Sequence, residues 1–248
     1  MRGIDVSKWQ GIIDWGKVKA TGIDFVIIRA GYGKEASQKD IKFETNYAGA
    51  KAAGLHVGAY WYSYAKTVED AEKEAEAFIK VIKGKQFDFP VYIDLEEKEQ
   101  FSKGKVFCSN VVDAFCKVME ARGYFAGIYI SRSPLQTHIY PHIAQRYALW
   151  IAEYNSICKY DGKYGIWQKS SKGRVSGIEG NVDIDESYIN YPDIIVPKKL
   201  NGYSRKSVDS VAREVIDGIW GNGADRVERL EKAGYDPVQV QRRVNELM

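Results

Sequence analysis

Two acidic residues, Asp94 and Glu96, stand two positions apart at the end of the hydrophobic stretch FPVYIDLEE, which covers residues 89–97. The stretch is rich in β-forming residues and has no helical spacing, so it is predicted to be a strand. Side chains alternate between the two faces of a strand, which puts both carboxyl groups on one face with Cα atoms roughly 6.5 to 7 Å apart. Paired carboxyl groups suit acid–base catalysis, although an acidic loop at the end of a strand gives the same pattern.

Eight β-rich segments recur along the 248 residues, and helical stretches separate the first five segments and follow the fifth. The segments begin near residues 2, 24, 56, 89, 125, 148, 164 and 182, and the helical stretches cover 14–22, 40–53, 68–83, 104–122 and about 134–145. Strands that alternate with helices predict right-handed crossovers and a parallel sheet, and eight such strands can close into a barrel. Because the last three strands are joined by segments too short for ordinary helices, the predicted α/β fold is an irregular TIM-like barrel of five β/α units plus three strands.

The chain is predicted to divide into two domains joined by a linker. Residues 1–190 form the barrel, and residues 191–206 combine Pro, Gly and basic residues without periodicity, which is typical of a linker. Residues 207–248 contain three helical signatures, with a possible N-cap at Ser207 and another at Asp236, which is followed by proline. This last part is therefore predicted to be a small three-helix bundle.

The composition excludes several classes of function. The net charge is only +3, and no basic run is interleaved with aromatic residues, so a nucleic-acid partner is not expected. No apolar run approaches the roughly 20 residues of a membrane span, and no signal-peptide pattern is present, so neither a membrane partner nor a signal peptide is expected. His138 and His142 have the spacing of a zinc site, but Pro141 interrupts them, so no metal or other cofactor is expected.

Three of the predicted strands carry the acids that a barrel would bring together. Asp5 lies in the first strand, Asp94 and Glu96 end the fourth, and Asp183 and Asp185 lie in the eighth. In a closed barrel the first and eighth strands are neighbours, so Asp5 and Asp183 are expected to share one cavity with the other acids. Mutual repulsion and partial burial raise the pKa of a carboxyl group, which lets it keep a proton and serve as a general acid. This combination fits cleavage of a glycosidic bond better than other common reactions.

Aromatic residues make up 13% of the chain and recur in or just after the predicted strands. Ring faces stack on the C–H faces of sugars, and the ring edges offer polar groups to sugar hydroxyls. Core packing is the alternative role, and about half of these rings are expected to have it. The predicted substrate-binding residues are Tyr32, Tyr60, Trp61, Tyr62, Tyr129, Trp150, Tyr154, Trp167 and Gln168.

Six motifs resemble, in order and spacing, the glycoside hydrolase family 25 lysozymes of phages and bacteria. They are GIDVSKWQG at 3–11, YIDLE at 92–96, GIYIS at 127–131, LWIAEYN at 149–155, IWQ at 166–168 and GIEGNVDID at 177–185. The resemblance covers roughly residues 1–190 and implies a barrel of five β/α units plus three strands. It also implies hydrolysis of the β-1,4 bond between N-acetylmuramic acid and N-acetylglucosamine in peptidoglycan. The tail from residue 207 resembles a cell-wall-binding repeat, of which related phage lysozymes often carry two or three copies.

The resemblance also implies roles for individual acids. Glu96 corresponds to the catalytic acid/base and Asp94 to its charged partner, while Asp5 and Asp183 correspond to the remaining site acids. Asp185 falls where relatives often carry Asn or another polar residue, so it is left out of this set. Glu96 would protonate the leaving oxygen and later deprotonate water, with retention of configuration. Asp94 would either attack the anomeric carbon or orient the 2-acetamido group of the substrate, and the sequence leaves both routes open.

The sequence therefore predicts an endolysin that hydrolyses bacterial peptidoglycan and uses its C-terminal module to target the wall. A barrel that binds cell-wall carbohydrate without catalysis is the alternative, since fold does not fix function. A chitinase-like enzyme would differ in its substrate only. The protein is expected to be made in the cytoplasm of a bacterial host and to reach the wall through a holin-type pore, whether it comes from a phage or a prophage. Its oligomeric state is left open.

Overall fold

The computed structural model describes residues 1–203 and 206–248, and of Lys232 only the backbone. Eight strands close into one barrel in chain order. They are β1 (Arg2–Val6), β2 (Phe25–Tyr32), β3 (His56–Tyr62), β4 (Val91–Asp94), β5 (Ala126–Ser131), β6 (Ala148–Ala152), β7 (Ile166–Gly173) and β8 (Val182–Ser187). The predicted α/β barrel is confirmed, including the contact between its first and last strands.

Helices accompany the strands along the chain. They are α1 (Trp15–Ala20), α2 (Phe43–Ala52), α3 (Val68–Ile82), α4 (Lys98–Ser102), α5 (Gly104–Ala121), α6 (Arg132–His138), α7 (Pro141–Arg146) and α8 (Pro192–Ile195). The stretch predicted as a fifth helix is divided into α6 and α7, because Pro141 lacks the N–H that a continuous helix needs and instead begins α7. In the described part of the chain, no helix combines the length and the apolar character needed to cross a membrane.

Strand direction differs from the expectation at β8. The strands from β1 to β7 run parallel to one another, whereas β8 runs antiparallel to both β7 and β1. Only residues 174–181 connect β7 with β8, and a parallel pair would need a crossover of a dozen or more residues. The reversal puts the start of β8 at the mouth of the barrel, where the parallel strands end. Asp183 therefore lies directly opposite Asp5.

Two hydrophobic layers follow from the alternation of side chains along the strands. On β4, Tyr92 points into the barrel, where it joins an inner cluster with Phe89 and Trp150. Val91 and Ile93 point outwards and pack in the layer between the strands and the helices. Because the inner cluster fills the barrel with aromatic rings, polar side chains of the inner face are gathered at its mouth.

Residues 191–203 cover the opposite end of the barrel, the floor, where the parallel strands begin. Tyr191 is buried in the inner cluster. The side-chain amide of Asn201 donates to the carbonyl of Phe89 at 2.8 Å, and its Oδ1 atom accepts from the backbone N–H of Phe125 at 2.7 Å. This part of the predicted linker therefore makes tertiary contacts that a free linker lacks.

The C-terminal part forms three helices, which confirms the predicted bundle. They are α9 (Val208–Ile216), α10 (Gly223–Lys232) and α11 (Pro237–Leu247). The side chains of Ser207 and Asp236 cap α9 and α11 by accepting backbone N–H groups of the first turns. The apolar faces of the helices meet in a core separate from the two layers of the barrel. Residues 204 and 205 of the predicted linker lie outside the described residues, and the division into domains stays a prediction.

Candidate active site

Four acidic side chains converge at the mouth of the barrel. Asp5 and Asp183 face each other across the antiparallel pair of β1 and β8. Asp94 ends β4, and Glu96 follows it on the same side of the chain. The charge of Glu96 acts on Asp94, and the charge of Asp183 acts on Glu96 and Asp5, so the four groups share one electrostatic environment. No three His, Cys, Asp or Glu side chains among the described residues are arranged to hold a metal ion.

The pKa values of the mouth acids are raised, chiefly by burial. Asp94 is almost fully buried, and the charge of Glu96 raises its pKa further, while Arg29 opposes the shift. Glu96 is accessible to solvent, but the concave mouth surrounds it, so burial, then Asp183 and Glu97, raise its pKa. Burial also raises the pKa of Asp183 to about 6. An accessible carboxyl group with a raised pKa is suited to donate a proton to a bound substrate.

A hydrogen-bond network fixes the carboxyl group of Asp5. Gln168 donates from Nε2 to Oδ2 of Asp5 at 2.7 Å. The Oε1 atom of Gln168 accepts from the hydroxyl groups of Tyr129 at 2.8 Å and Tyr154 at 3.0 Å. Two hydroxyl donors on one side of the amide decide which way it points, so Gln168 presents its N–H group to Asp5. Gln168 is buried with both ends engaged, so the predicted contact with substrate is replaced by a role in orienting Asp5.

A fifth acid, Asp185, lies beside Asp5 and is fully buried. Trp150 donates its indole N–H to Oδ1 of Asp185 at 2.8 Å, whereas Oδ2 has no hydrogen-bond partner among the described residues. Burial raises the pKa of Asp185, although the Trp150 indole opposes the shift. Asp185 was not among the residues predicted for the site. The signal that could have included it is its position two residues after Asp183, which puts both side chains on one face of the strand.

Arg29 is a cation near the mouth that the sequence analysis missed. Its Nε and Nη2 atoms each lie 2.7 Å from Oδ2 of Asp40. Asp40 also accepts from the backbone N–H groups of Lys8 and Lys42, so it ties together the loops after β1 and β2. Because Asp40 is ion-paired with Arg29, the cation offsets only part of the upward pKa shift of Asp94.

Three tyrosines, Tyr32, Tyr62 and Tyr64, form an aromatic wall at one side of the mouth. The rings of Tyr32 and Tyr64 meet edge to face with centroids 6.0 Å apart, and those of Tyr62 and Tyr64 lie 4.9 Å apart. The Tyr62 hydroxyl donates to Glu97 at 2.8 Å. Tyr64 was missed, although its position two residues after Tyr62 indicates the same face. Tyr32 and Tyr62 stay predicted substrate contacts, and Tyr64, which is 49% exposed, joins them.

Three further tyrosines stand close to the acids. Burial, followed by the charges of mouth acids, raises the pKa values of Tyr60, Tyr129 and Tyr154. After burial, the charges of Asp5 and Asp94 raise the pKa of Tyr60 most strongly. These three residues also stay predicted substrate contacts.

The three tryptophans that were predicted to contact substrate do not line the mouth, so those predictions are wrong. Trp61 packs on Phe78 of α3 in the outer layer. Trp167 also belongs to the outer layer and donates its indole N–H to the carbonyl of Glu153 at 2.8 Å. Their strand neighbours face inwards, so the alternation turns both rings outwards. Trp150 does face inwards, but it is only 1% exposed and supports Asp185 instead.

Comparison with known proteins divides the chain into two matched regions. The model of glycosyl hydrolases family 25 matches residues 4–178, and the CW_7 repeat matches residues 209–248. The autolytic lysozyme of Clostridium acetobutylicum is 33% identical over 187 residues, which cover 75% of this chain and 55% of that protein. The lysozyme of Streptococcus phage Cp-7 is 27% identical over 257 residues, which cover 98% of this chain and 69% of that protein. The chain thus spans about half the length of the clostridial relative.

Solved structures share the same architecture. The modular autolysin LytC of Streptococcus pneumoniae, solved in complex with a synthetic peptidoglycan ligand, matches with 28% identity and a TM-score of 0.67 over 74% of this chain and 46% of that chain. The CTP1L endolysin matches with a TM-score of 0.68 over 99% of this chain and 98% of that chain, and its 22% identity supports a common fold. On the family match and the barrel with acids at its mouth, the chain belongs to glycosyl hydrolases family 25 and carries a CW_7 repeat in residues 209–248.

Proposed function

We propose that the protein is an endolysin, an N-acetylmuramidase that hydrolyses the β-1,4 bond between N-acetylmuramic acid and N-acetylglucosamine in bacterial peptidoglycan. The observation that carries the proposal is the closure of the barrel, which brings Asp5 opposite Asp183 and brings Asp183 within electrostatic reach of Glu96. Two of the relatives are an autolytic lysozyme and a phage lysozyme, and their names support the same reaction.

Glu96 is the general acid in this proposal. It is accessible to a substrate, and burial in the concave mouth, then Asp183 and Glu97, raise its pKa so that it retains a proton more readily. It protonates the leaving glycosidic oxygen while the oxocarbenium-like transition state forms. The resulting carboxylate then takes a proton from the attacking water, and the product keeps the configuration of the substrate.

Asp94 supplies negative charge next to the anomeric carbon. It is buried, and its Oδ1 atom has no hydrogen-bond partner among the described residues, so its hydrogen-bonding capacity is not used within the protein. It acts in one of two ways: it attacks the anomeric carbon, or it orients the 2-acetamido group of the substrate, which then attacks. Peptidoglycan stripped of its N-acetyl groups distinguishes the two routes, because hydrolysis of that polymer continues only if Asp94 attacks directly.

The substitution Glu96→Gln tests the proposal. The amide keeps the size of the side chain but has no proton to transfer, so the release of reducing ends from purified walls is expected to fall by about 10²- to 10⁴-fold. Binding to the same walls is expected to stay nearly unchanged. Glu99→Gln is the matched control, because Glu99 lies three positions further on and its exposed side chain pairs with the exposed Lys66.

The products of the wild-type protein test the substrate and the reaction. Mass spectrometry is expected to find muramic acid at the new reducing ends, whereas N-acetylglucosamine at those ends would contradict a muramidase. Unchanged activity of Glu96→Gln would remove Glu96 from the role of acid. Wall binding by a wild-type chain that releases no reducing ends would favour the non-catalytic carbohydrate-binding alternative.

The CW_7 repeat is proposed to hold the enzyme on the wall. Its helices have a core of their own, so removal of residues 207–248 should leave the barrel intact. The shortened chain is expected to cleave soluble fragments at the wild-type rate but to lyse intact cells about tenfold more slowly, because tethering raises the local concentration of enzyme. Equal lysis by both chains would mean that the single repeat is dispensable. Release of the enzyme from the cytoplasm of a bacterial host through a holin-type pore belongs to the same proposal.

A further inference from the structure

Asp5 and Asp185 bring two carboxyl groups together inside the barrel. Asp5 pairs with Asp183 and Asp185 pairs with Gly3, so the two residues stand diagonally across neighbouring strands. Asp185 is fully buried, and Asp5 is 6% exposed. Their side chains point to the same side of the sheet, and each carboxyl group acts on the pKa of the other. A hydrogen bond between the two groups requires one of them to keep its proton, because two ionised carboxylates have none to donate.

One oxygen of each carboxyl group accepts a hydrogen bond from a neighbouring side chain, and a proton between the two groups would serve the oxygen that has no donor. Oδ1 of Asp185 accepts from the Trp150 indole at 2.8 Å, and Oδ2 of Asp5 accepts from Gln168 at 2.7 Å. Oδ2 of Asp185 is buried and has no donor among the described residues. A buried carboxylate oxygen without a donor costs free energy, and a proton held between the two carboxyl groups removes this cost.

The surrounding charges favour the same state. The charged and titratable side chains that interact with the pair are Asp183 on β8, Tyr60 on β3, Tyr92 on β4, Tyr129 on β5 and Tyr154 after β6. The nearby cation Arg29 acts on Asp94 and Tyr60 and is itself bound to Asp40. Burial, and then the charges of neighbouring acids, raise the pKa of Asp5, and burial raises that of Asp185. Two full negative charges are therefore disfavoured at this position.

We propose that Asp5 and Asp185 share a single proton and that Asp185 is a positioning residue for Asp5. The pair then carries one negative charge, and the hydrogen bond between the two groups, together with the one from Gln168, fixes the orientation of Asp5 at the mouth. When the proton leaves at higher pH, repulsion between the two carboxylates breaks this arrangement. The positioning role rests on the proposed muramidase function, whereas the sharing of the proton does not.

Infrared spectroscopy of the full chain at neutral pH tests the sharing of the proton. The C=O stretching band of a buried carboxylic acid is expected to lose intensity in Asp185→Asn and to lose the same intensity in Asp5→Asn. The double variant is expected to lose no more than either single variant, because one shared proton can be removed only once. An undiminished band in Asp185→Asn, or a double variant that loses twice the intensity, would overturn the proposal.

Enzyme kinetics test the positioning role. Asp185→Asn keeps a donor toward Asp5 and is expected to retain kcat within about threefold, whereas Asp185→Leu has no donor and is expected to lower kcat by about 100-fold with little change in KM. Loss of the Glu96 proton gives an alkaline limb of kcat in both proteins, and loss of the shared proton is expected to make this limb steeper in the wild type but not in Asp185→Asn. Equal loss of kcat in the two variants, with both folded by circular dichroism, would contradict the positioning role.

The two proposals fail in different ways. If Asp185→Leu does not fold, the alkaline limb of Asp185→Asn decides alone, and a limb identical to that of the wild type would contradict the positioning role. If the wild-type chain releases no reducing ends but the infrared result is as expected, the muramidase function is wrong and the shared proton stands.

Discussion

The pKa of a buried aspartate is raised at the mouth of the barrel and lowered at its floor. Asp94 and Asp88 are six residues apart, and each is less than 10% exposed. Asp94 opens toward the mouth, where burial and then Glu96 raise its pKa. Asp88 lies at the floor, where its pKa is held well below the usual range. Burial alone raises the pKa of any carboxyl group, so the difference must come from the partners that each end of the barrel provides.

At the floor, every element around Asp88 offers it a donor. Lys51 Nζ lies 3.0 Å from Oδ2, and the backbone N–H of Val57 donates to the same atom at 3.2 Å. The hydroxyl group of Tyr203, from the segment that crosses the floor, donates to Oδ1. Burial raises the pKa of Asp88, but the interactions with His56, Tyr203 and Lys51 together outweigh it. The floor therefore stabilises the ionised form.

At the mouth, the acids face one another and few donors reach them. Oδ1 of Asp94 and Oδ2 of Asp185 are buried without a partner among the described residues. Buried polar groups of this kind cost free energy, and native proteins tolerate them mainly where they serve a function. This barrel therefore concentrates unfavourable electrostatics at the end where a substrate would bind and satisfies its charges at the other end.

Opposite pKa shifts give opposite pH dependences of stability. Asp94 binds its proton more tightly in the folded state, so its contribution to the free energy of unfolding falls as pH rises above its usual pKa of 3.8 toward the folded value. Asp88 binds its proton less tightly in the folded state. Its stabilising contribution is complete above pH 3.8 and is lost as pH falls through the lower, folded value.

The substitution Asp94→Asn is expected to have the largest effect on the mouth. Release of reducing ends should fall by about 10²- to 10⁴-fold, because the negative charge next to the anomeric carbon is lost. The free energy of unfolding should nevertheless rise at pH 7, since an amide replaces a group that is costly to ionise, and this gain should disappear near pH 3. Urea unfolding at both pH values, followed by tryptophan fluorescence, measures the second effect. A variant less stable than the wild type at pH 7 would contradict the contrast between the two ends.

The substitution Asp88→Asn should do the reverse at the floor. The free energy of unfolding is expected to fall by about 2 kcal/mol at pH 7, because Lys51 loses its counter-ion and Tyr203 its charged acceptor. The deficit should shrink as pH falls below 3.8, because the unfolded wild-type chain then takes up a proton at Asp88 and the folded protein does so only at lower pH. Steady-state kinetics should give an unchanged kcat, and a large loss of kcat would mean that the floor acts on the site.

Barrel closure was the part of the site that the sequence could predict. Eight alternating strands require the first and last to meet, which brought Asp5 and Asp183 together from opposite ends of the barrel sequence. The direction of β8 was not predictable from the same alternation. The direction depends on a short connection, whose path is fixed only when β8 forms its hydrogen bonds with β7. The same direction decides that Asp185 is buried beside Asp5.

Only part of the orientation of the aromatic rings could be predicted from the sequence. Because side chains alternate between the two faces of a strand, Tyr60, Trp61 and Tyr62 cannot all face the mouth. The alternation does not say whether the even-numbered or the odd-numbered residues point inwards. That choice depends on the register of β3 against both neighbours, and β2 shifts its register between Arg29 and Gly31. The contacts of segment 191–203 could not be predicted for a related reason, because they reach parts of the chain that are distant in sequence and no local pattern indicates them.

The substitution Tyr203→Phe has the smallest expected effect, and it tests directly whether a hydroxyl donor stabilises ionised Asp88 at the floor. The ring stays in place against the inner cluster, and only the hydroxyl donor to Asp88 is lost. The free energy of unfolding is expected to fall by about 1 kcal/mol at pH 7, because the hydroxyl group interacts more strongly with a charged acceptor than with a neutral one. The loss should shrink only at a pH well below 3.8, where Asp88 takes up a proton in the folded protein. In the Asp88→Asn background the same substitution should cost less, since the charged acceptor is already gone. Equal losses in both backgrounds would mean that Tyr203 stabilises the floor through packing alone, and the ionised state of Asp88 would then rest on Lys51 and the backbone N–H of Val57.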